Sequence, residues 1–110
     1  MPADGFLIYY GVRYLISDEA EIAQLGEATH PVVEAALQVG LQYWWGYTPQ
    51  GNCFLLVGTQ IGNLGMEGAS HRQLEDSQLF AIMQTTKARL LKAEINGVPA
   101  LHAQFEISQV

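Results

Sequence analysis

The chain has 110 residues, 49% of them hydrophobic and 15% charged, and eleven acidic against five basic residues give it a formal charge of −6. Such a length supports one hydrophobic core without metals or disulfides, and the composition lies far from that of disordered segments. The acidic balance repels a phosphate backbone, so nucleic acid is not an expected partner. No apolar run reaches the roughly 18 residues of a spanning helix, so no membrane partner is expected either.

The only cysteine, Cys53, lies in the apolar run Cys53 to Val57 and reads as a small buried hydrophobe. With no internal disulfide available and no basic leader in the first residues, a cytoplasmic location is expected. Charge is uneven along the chain. No Lys or Arg falls between Arg13 and Arg72, an interval that holds Asp18, Glu19, Glu21, Glu27, Glu34 and Glu67.

From Phe6 to Ile16 every even position is apolar or aromatic (Phe6, Ile8, Tyr10, Val12, Tyr14, Ile16), which predicts a strand. Its odd face, Leu7, Tyr9, Gly11, Arg13 and Leu15, is only half polar and points to a central strand, with Gly11 marking a bulge or close approach. Asp18 with Glu21 matches a capping box for a helix that stops at Gly26. Pro31 then starts a second helical piece ending at Gly40. Leu41 to Tyr47, dense in aromatics, and Cys53 to Val57 form a predicted hairpin around Thr48-Pro49-Gln50-Gly51.

Glycines at 58, 62, 65 and 68 are too frequent for a helix and suit a loop or an irregular strand extension; the stretch from Gly58 to Gly68 is assigned as a connector, with an additional hairpin there as the alternative. A helix is predicted over Asp76 to Glu94, terminated by Asn96-Gly97. The final strand alternates Leu101, Ala103, Phe105 and Ile107 with His102, Gln104 and Glu106, an edge-like pattern. The predicted architecture is a single α+β domain over residues 1–110: a two-layer sandwich in which a βαββαβ, ferredoxin-like antiparallel sheet carries helices on one face, the first helix being broken near Gly26-Pro31.

No motif names a reaction. His30, His71 and His102 lack metal-ligand spacing, so no metal site is expected, and no cofactor pattern is present. His30 reads as a helix-start residue and His102 as a solvated strand residue; His71, between Ser70 and Arg72 in a loop, is the first choice of the three for direct function. The glycines after Val57 match neither dinucleotide nor P-loop spacing. Asp18, Glu19 and Glu21 read as capping and dipole charges, and Lys87, Arg89 and Lys92 as a solvated helix face.

The aromatic residues carry more weight. Trp44 and Trp45 are neighbours in a strand and must face opposite ways. In a two-layer fold the helices cover one sheet face, so Tyr9, Leu15 and one tryptophan would stay on the open face, a larger apolar patch than monomers usually expose. Three functions follow as expectations. The first is a homodimeric binding or interaction module closed through that face, its candidate ligand or interface residues being Tyr9, Arg13, Trp44, Trp45, His71 and His102, with a small partly apolar molecule or a protein as ligand. The second is a small dimeric α/β-barrel-type enzyme, and the third a subunit or regulator of another protein.

Overall fold

Period-two alternation and β-branched or aromatic side chains carry the chain into four strands, and capped segments make it helical between them. The computed structural model describes residues 5–65 and 69–106. Its order is β1 (Gly5–Ile16), α1 (Glu19–Glu27), α2 (Pro31–Gln38), β2 (Gln42–Tyr47), β3 (Cys53–Gly65), α3 (Asp76–Lys92) and β4 (Ala100–Glu106). The strands form one antiparallel open sheet in the order β2-β3-β1-β4. The two most apolar strands, β1 and β3, therefore lie in the middle, and the alternating β4 lies at an edge.

The helix boundaries follow from local hydrogen bonding. Asp18 caps α1, its carboxylate accepting from the Ala20 and Glu21 backbone N–H groups. Glu21 does not close the predicted capping box; its carboxylate instead meets His30 Nε2 at 3.1 Å. His30 Nδ1 accepts from the Val32 N–H, so this buried histidine caps α2 in front of Pro31. The first helix runs through Gly26 and ends where Ala28 takes the left-handed conformation at φ 59. Glycine is tolerated inside a helix, and the Ala28 and Thr29 N–H groups close the end by bonding back to Leu25 and Gln24. At the far end of the chain, α3 stops at Lys92, two residues before the predicted limit, with Glu94 at φ 57.

All three helices pack on one face of the sheet. Leu25, Val33, Ala36 and Leu90 meet Val12, Cys53, Leu55 and Val57 there, with Trp45 and Tyr43 against the edge of this core. Burial pushes the Cys53 thiol up, in keeping with its role as a core residue. Thr86 on α3 is fully buried, its hydroxyl satisfied by Thr59 of β3 at 2.6 Å.

The stretch from Gly58 to Gly65, predicted as a connector, is the second half of β3. β3 pairs with β1 along its whole length, from Ile16 opposite Cys53 to Gly5 opposite Gly65, with a bulge at Ile61 where the register shifts between Ile8 and Tyr9. The remainder of the predicted connector, residues 66–68, lies outside the described residues, as does Ile107. Glycine reads as a breaker in sequence because its reason for being there is a neighbour across the sheet. Gly11 sits opposite Gly58; a Cβ on Gly11 would run into the Val57 carbonyl oxygen, and one on Gly58, at φ 156, into that of Tyr10.

The sheet that these strands carry is bent. Trp44 is opposite Leu56 and hence level with Arg13, whereas Glu106 is opposite Gly5 at the other edge of the sheet. At about 3.3 Å per residue and about 4.8 Å per strand, a flat sheet would hold the two residues about 30 Å apart. Yet Trp44 Nε1 donates to Glu106 Oε2 at 3.0 Å, and Arg13 Nε to Gln104 Oε1 at 2.7 Å. The sheet therefore curls so that its helix-free face is concave and its two halves approach each other.

Curling closes the face that sequence patterning leaves open. Leu7, Tyr9, Phe54 and Leu56 form a second core there, each at most 3% exposed. Tyr9, expected at a dimer interface through this face, is covered by the chain itself. Among the described residues, the large apolar side chains left open on that side are Leu15 and Trp44, at 63% and 42% exposure.

Candidate functional site

β4 presents its faces in the reverse of the usual sense. Leu101 and Ala103 are exposed, whereas His102, Gln104 and Glu106 are half-buried on the concave side. Two of these polar residues reach back over the sheet. Gln104 accepts from Arg13, whose guanidinium also lies over the Phe54 ring at 5.9 Å. Glu106 accepts from the Trp44 indole, and its carboxylate occupies the space that a side chain at buried Gly46 would fill.

Of the six residues singled out from sequence, four converge: Tyr9, Arg13, Trp44 and His102 all belong to the concave side. Trp45 does not. It packs against the helix-side core and meets Tyr47 edge-on with centroids 6.1 Å apart, so the two tryptophans diverge as strand geometry requires. His71 is exposed in the segment between β3 and α3 and takes no part in the cluster. The residues that sequence reading missed are Gln104, Glu106 and Gly46. The first two alternate with apolar residues like any solvated strand face, and only the bend turns them inward.

Burial sets the protonation of the cluster. The Tyr9 hydroxyl, 3.4 Å from Gln60 Oε1, is pushed up to about 12 by desolvation, so it stays a phenol at neutral pH. His102 is held below its usual range, first by burial and then by the Arg13 charge, against the pull of a backbone hydrogen bond at Gly11. Its imidazole is neutral at pH 7, and its Nε2 is closed to solvent with no hydrogen-bond partner among the described residues.

Burial raises the Glu106 carboxyl above its usual range, and the Trp44 hydrogen bond draws it partly back. The folded protein therefore holds the Glu106 proton more tightly than the unfolded chain does. The stabilisation this gives is complete below the ordinary carboxylate range and is lost as pH rises through the raised value. Glu106→Gln keeps an acceptor for the indole and removes this loss. In thermal melts from pH 4 to 8, the Tm of the wild type minus that of Glu106→Gln should become more negative as pH rises, and a difference that grows more positive would contradict the assignment.

Beside this cluster, Tyr43, Trp44 and Trp45 line a groove of about 330 Å³ along the outer side of β2. Its walls are aromatic. Such a site can hold a compact, partly apolar molecule. Among the described residues no group of His, Cys, Asp and Glu is arranged to hold a metal ion, and no helix is long and apolar enough to cross a membrane. No protein-family model matches the chain, and neither a curated protein nor a solved structure is found to be similar to it.

Proposed function

We propose that the protein is a small binding module that holds a compact, partly apolar molecule against Trp44, at the mouth of the concave sheet face. The observation that carries this reading is the treatment of Trp44. A hydrogen bond from the opposite edge of the sheet fixes the indole in place, yet 42% of the residue stays exposed beside an aromatic groove. A large, rigid side chain held in position and left open offers contact area at low entropic cost. The same reading takes the architecture as a ferredoxin-like βαββαβ unit, supported by the central placement of β1 and β3; the divided first helix and the curled sheet set it apart from the simple form.

Nile red, an uncharged apolar dye, provides the test, together with native mass spectrometry of the purified protein to detect a retained small molecule. Trp44→Ala should abolish dye binding at a smaller cost in stability than Trp45→Ala, because 42% of Trp44 is exposed whereas Trp45 packs against the helix-side core. Trp45→Ala, which removes a core side chain, should lower stability by about 3 kcal/mol. Absence of both a retained mass and Trp44-dependent dye binding would overturn the proposal.

An enzymatic reading would need an acid or base in the cluster, and its histidine is His102. Its Nε2 has no access to solvent, which favours binding over catalysis. The regulator reading loses part of its basis as well, since Asp18 is engaged in capping α1 and Glu21 in holding His30.

A further inference from the structure

β2 is an edge strand, paired on one side by β3 and open on the other. The hairpin turn fixes which of its backbone groups face outward. The Thr48 N–H donates to Asn52 and the Thr48 carbonyl accepts from Gly51, so both point toward β3. Direction alternates along a strand, so the groups of Gly46, Trp44 and Gln42 also point toward β3, and those of Tyr47, Trp45 and Tyr43 point away from the sheet. β3 agrees with this parity, because the Gln60 N–H points toward β2 and is accepted by Gln42 Oε1. Among the described residues, the outward N–H and C=O groups of Tyr43, Trp45 and Tyr47 take no hydrogen bond. The groove lined by Tyr43, Trp44 and Trp45 follows this edge: consecutive strand residues face opposite ways, so a depression that touches all three passes along the backbone between them. Edge strands are commonly closed to further pairing by a proline, a lysine or a bulge. Gln42–Tyr47 has none of these, carries no charge and pairs with β3 in unbroken register. At the other edge of the sheet, by contrast, Gln104 Nε2 donates to the Phe105 carbonyl, one of the groups that the same alternation turns outward.

We propose that β2 takes up an extended, basic peptide segment as a fifth strand of the sheet; this deepens the ligand reading of the Trp44 groove and rests on it. Two complementarities select that occupant. A row of alternating donors and acceptors along a strand edge matches the backbone of an extended polypeptide, whereas a small apolar molecule would leave the row unpaired. Charge then selects the sign. No Lys or Arg falls between Arg13 and Arg72, so β2, β3, α1 and α2 hold no cation. α1 passes over Trp45, whose ring lies 4.0 Å from where a Cβ on Gly26 would be, and it carries Glu19 and Glu27 besides the Glu21 that meets His30. On the other face Glu106 is bonded to Trp44. Arg13 and Arg89, which approach from β1 and α3, are engaged with Gln104 and with the Gly40 carbonyl. A lysine or arginine of the added strand on the concave side would lay its stem along Trp44 with its charge toward Glu106. The same charges disfavour a second copy at this edge, because pairing β2 with β2 across a two-fold axis would set one acidic α1 beside the other.

The probes are two end-capped heptapeptides, one alternating lysine with valine and the other glutamate with valine. By fluorescence anisotropy the lysine peptide should bind with a dissociation constant lower by about tenfold or more than that of the glutamate peptide. Hydrogen exchange followed by NMR should show the amides of Tyr43, Trp45 and Tyr47 slowed when the lysine peptide is added. Those of Trp44 and Gly46, already within the β2–β3 ladder, should not change. Equal affinity for the two peptides, binding that leaves the three outward amides exchanging as before, or a free chain that already protects them by pairing with a second copy would each overturn the proposal. If the lysine peptide does not bind while Nile red still binds in a Trp44-dependent way, the peptide inference falls and the small-molecule reading stands. Failure of both probes removes both.

Discussion

Gly58→Ala should destabilise the protein by about 3–5 kcal/mol, read as the shift of the urea unfolding midpoint. Two costs combine there. The backbone has φ 156, outside what an L side chain readily adopts, and the new Cβ would meet the Tyr10 carbonyl oxygen across the strand pair. Neither can be relieved without straightening the bend, because the obstruction is backbone on both sides and Gly11 is the residue opposite. Against a total stability of roughly 5–15 kcal/mol for a domain, a loss of this size leaves a substantial unfolded population. Gly26→Ala supplies the contrast. That glycine is inside α1 with its nearest contact at 4.0 Å from a Cβ, so alanine there should stabilise by about 0.5–1 kcal/mol. If Gly58→Ala shifted the midpoint no more than a surface substitution, the glycine pair would not be what allows the sheet to curl.

Phe54→Ala should cost about 3–5 kcal/mol, and the loss should be the same at every protein concentration. Phe54 is fully buried on the concave side, with Leu56 and Leu7 in the second core and under the Arg13 guanidinium. Were that face covered only by a partner, the penalty would fall on association and would shrink on dilution. Leu15→Ala, on the same face but 63% exposed, should cost well under 1 kcal/mol. Urea titrations of both variants at two concentrations ten-fold apart separate the possibilities.

Much of the fold was legible because its signals are local. The even-position apolar series of β1, the Pro31 start of α2, the turn at Thr48 to Gly51 and the alternation of β4 each depend on neighbours a few residues away. The exception is β3. Its second half is assigned from sequence as a connector rather than as the irregular strand extension it also suits, because Gly58 and Gly62 are explained only by Gly11 across the sheet and by Arg72, whose side chain lies over Gly62. Missing that half meant missing the bend, and the bend is what converts the polar residues of β4 from a solvated face into part of a site. Tyr9, Arg13, Trp44 and His102 were within reach of sequence because a mixed face on a central strand and a tryptophan pair are unusual in themselves. Gln104 and Glu106 were not, since nothing in their own alternation distinguishes inward from outward.

The β1–β3 ladder also has a kinetic meaning. It joins Ile16 to Cys53 and Gly5 to Gly65, while Gly5 on its other side is held by Glu106. Every rung of the central ribbon thus requires a long loop to close before any contact rewards it. Helices α1 and α2 can form early and locally, but the curl of the sheet cannot exist until distant segments have found their register. Refolding should accordingly fall in the millisecond-to-second range of non-local β topologies, slower than a helical bundle of equal length.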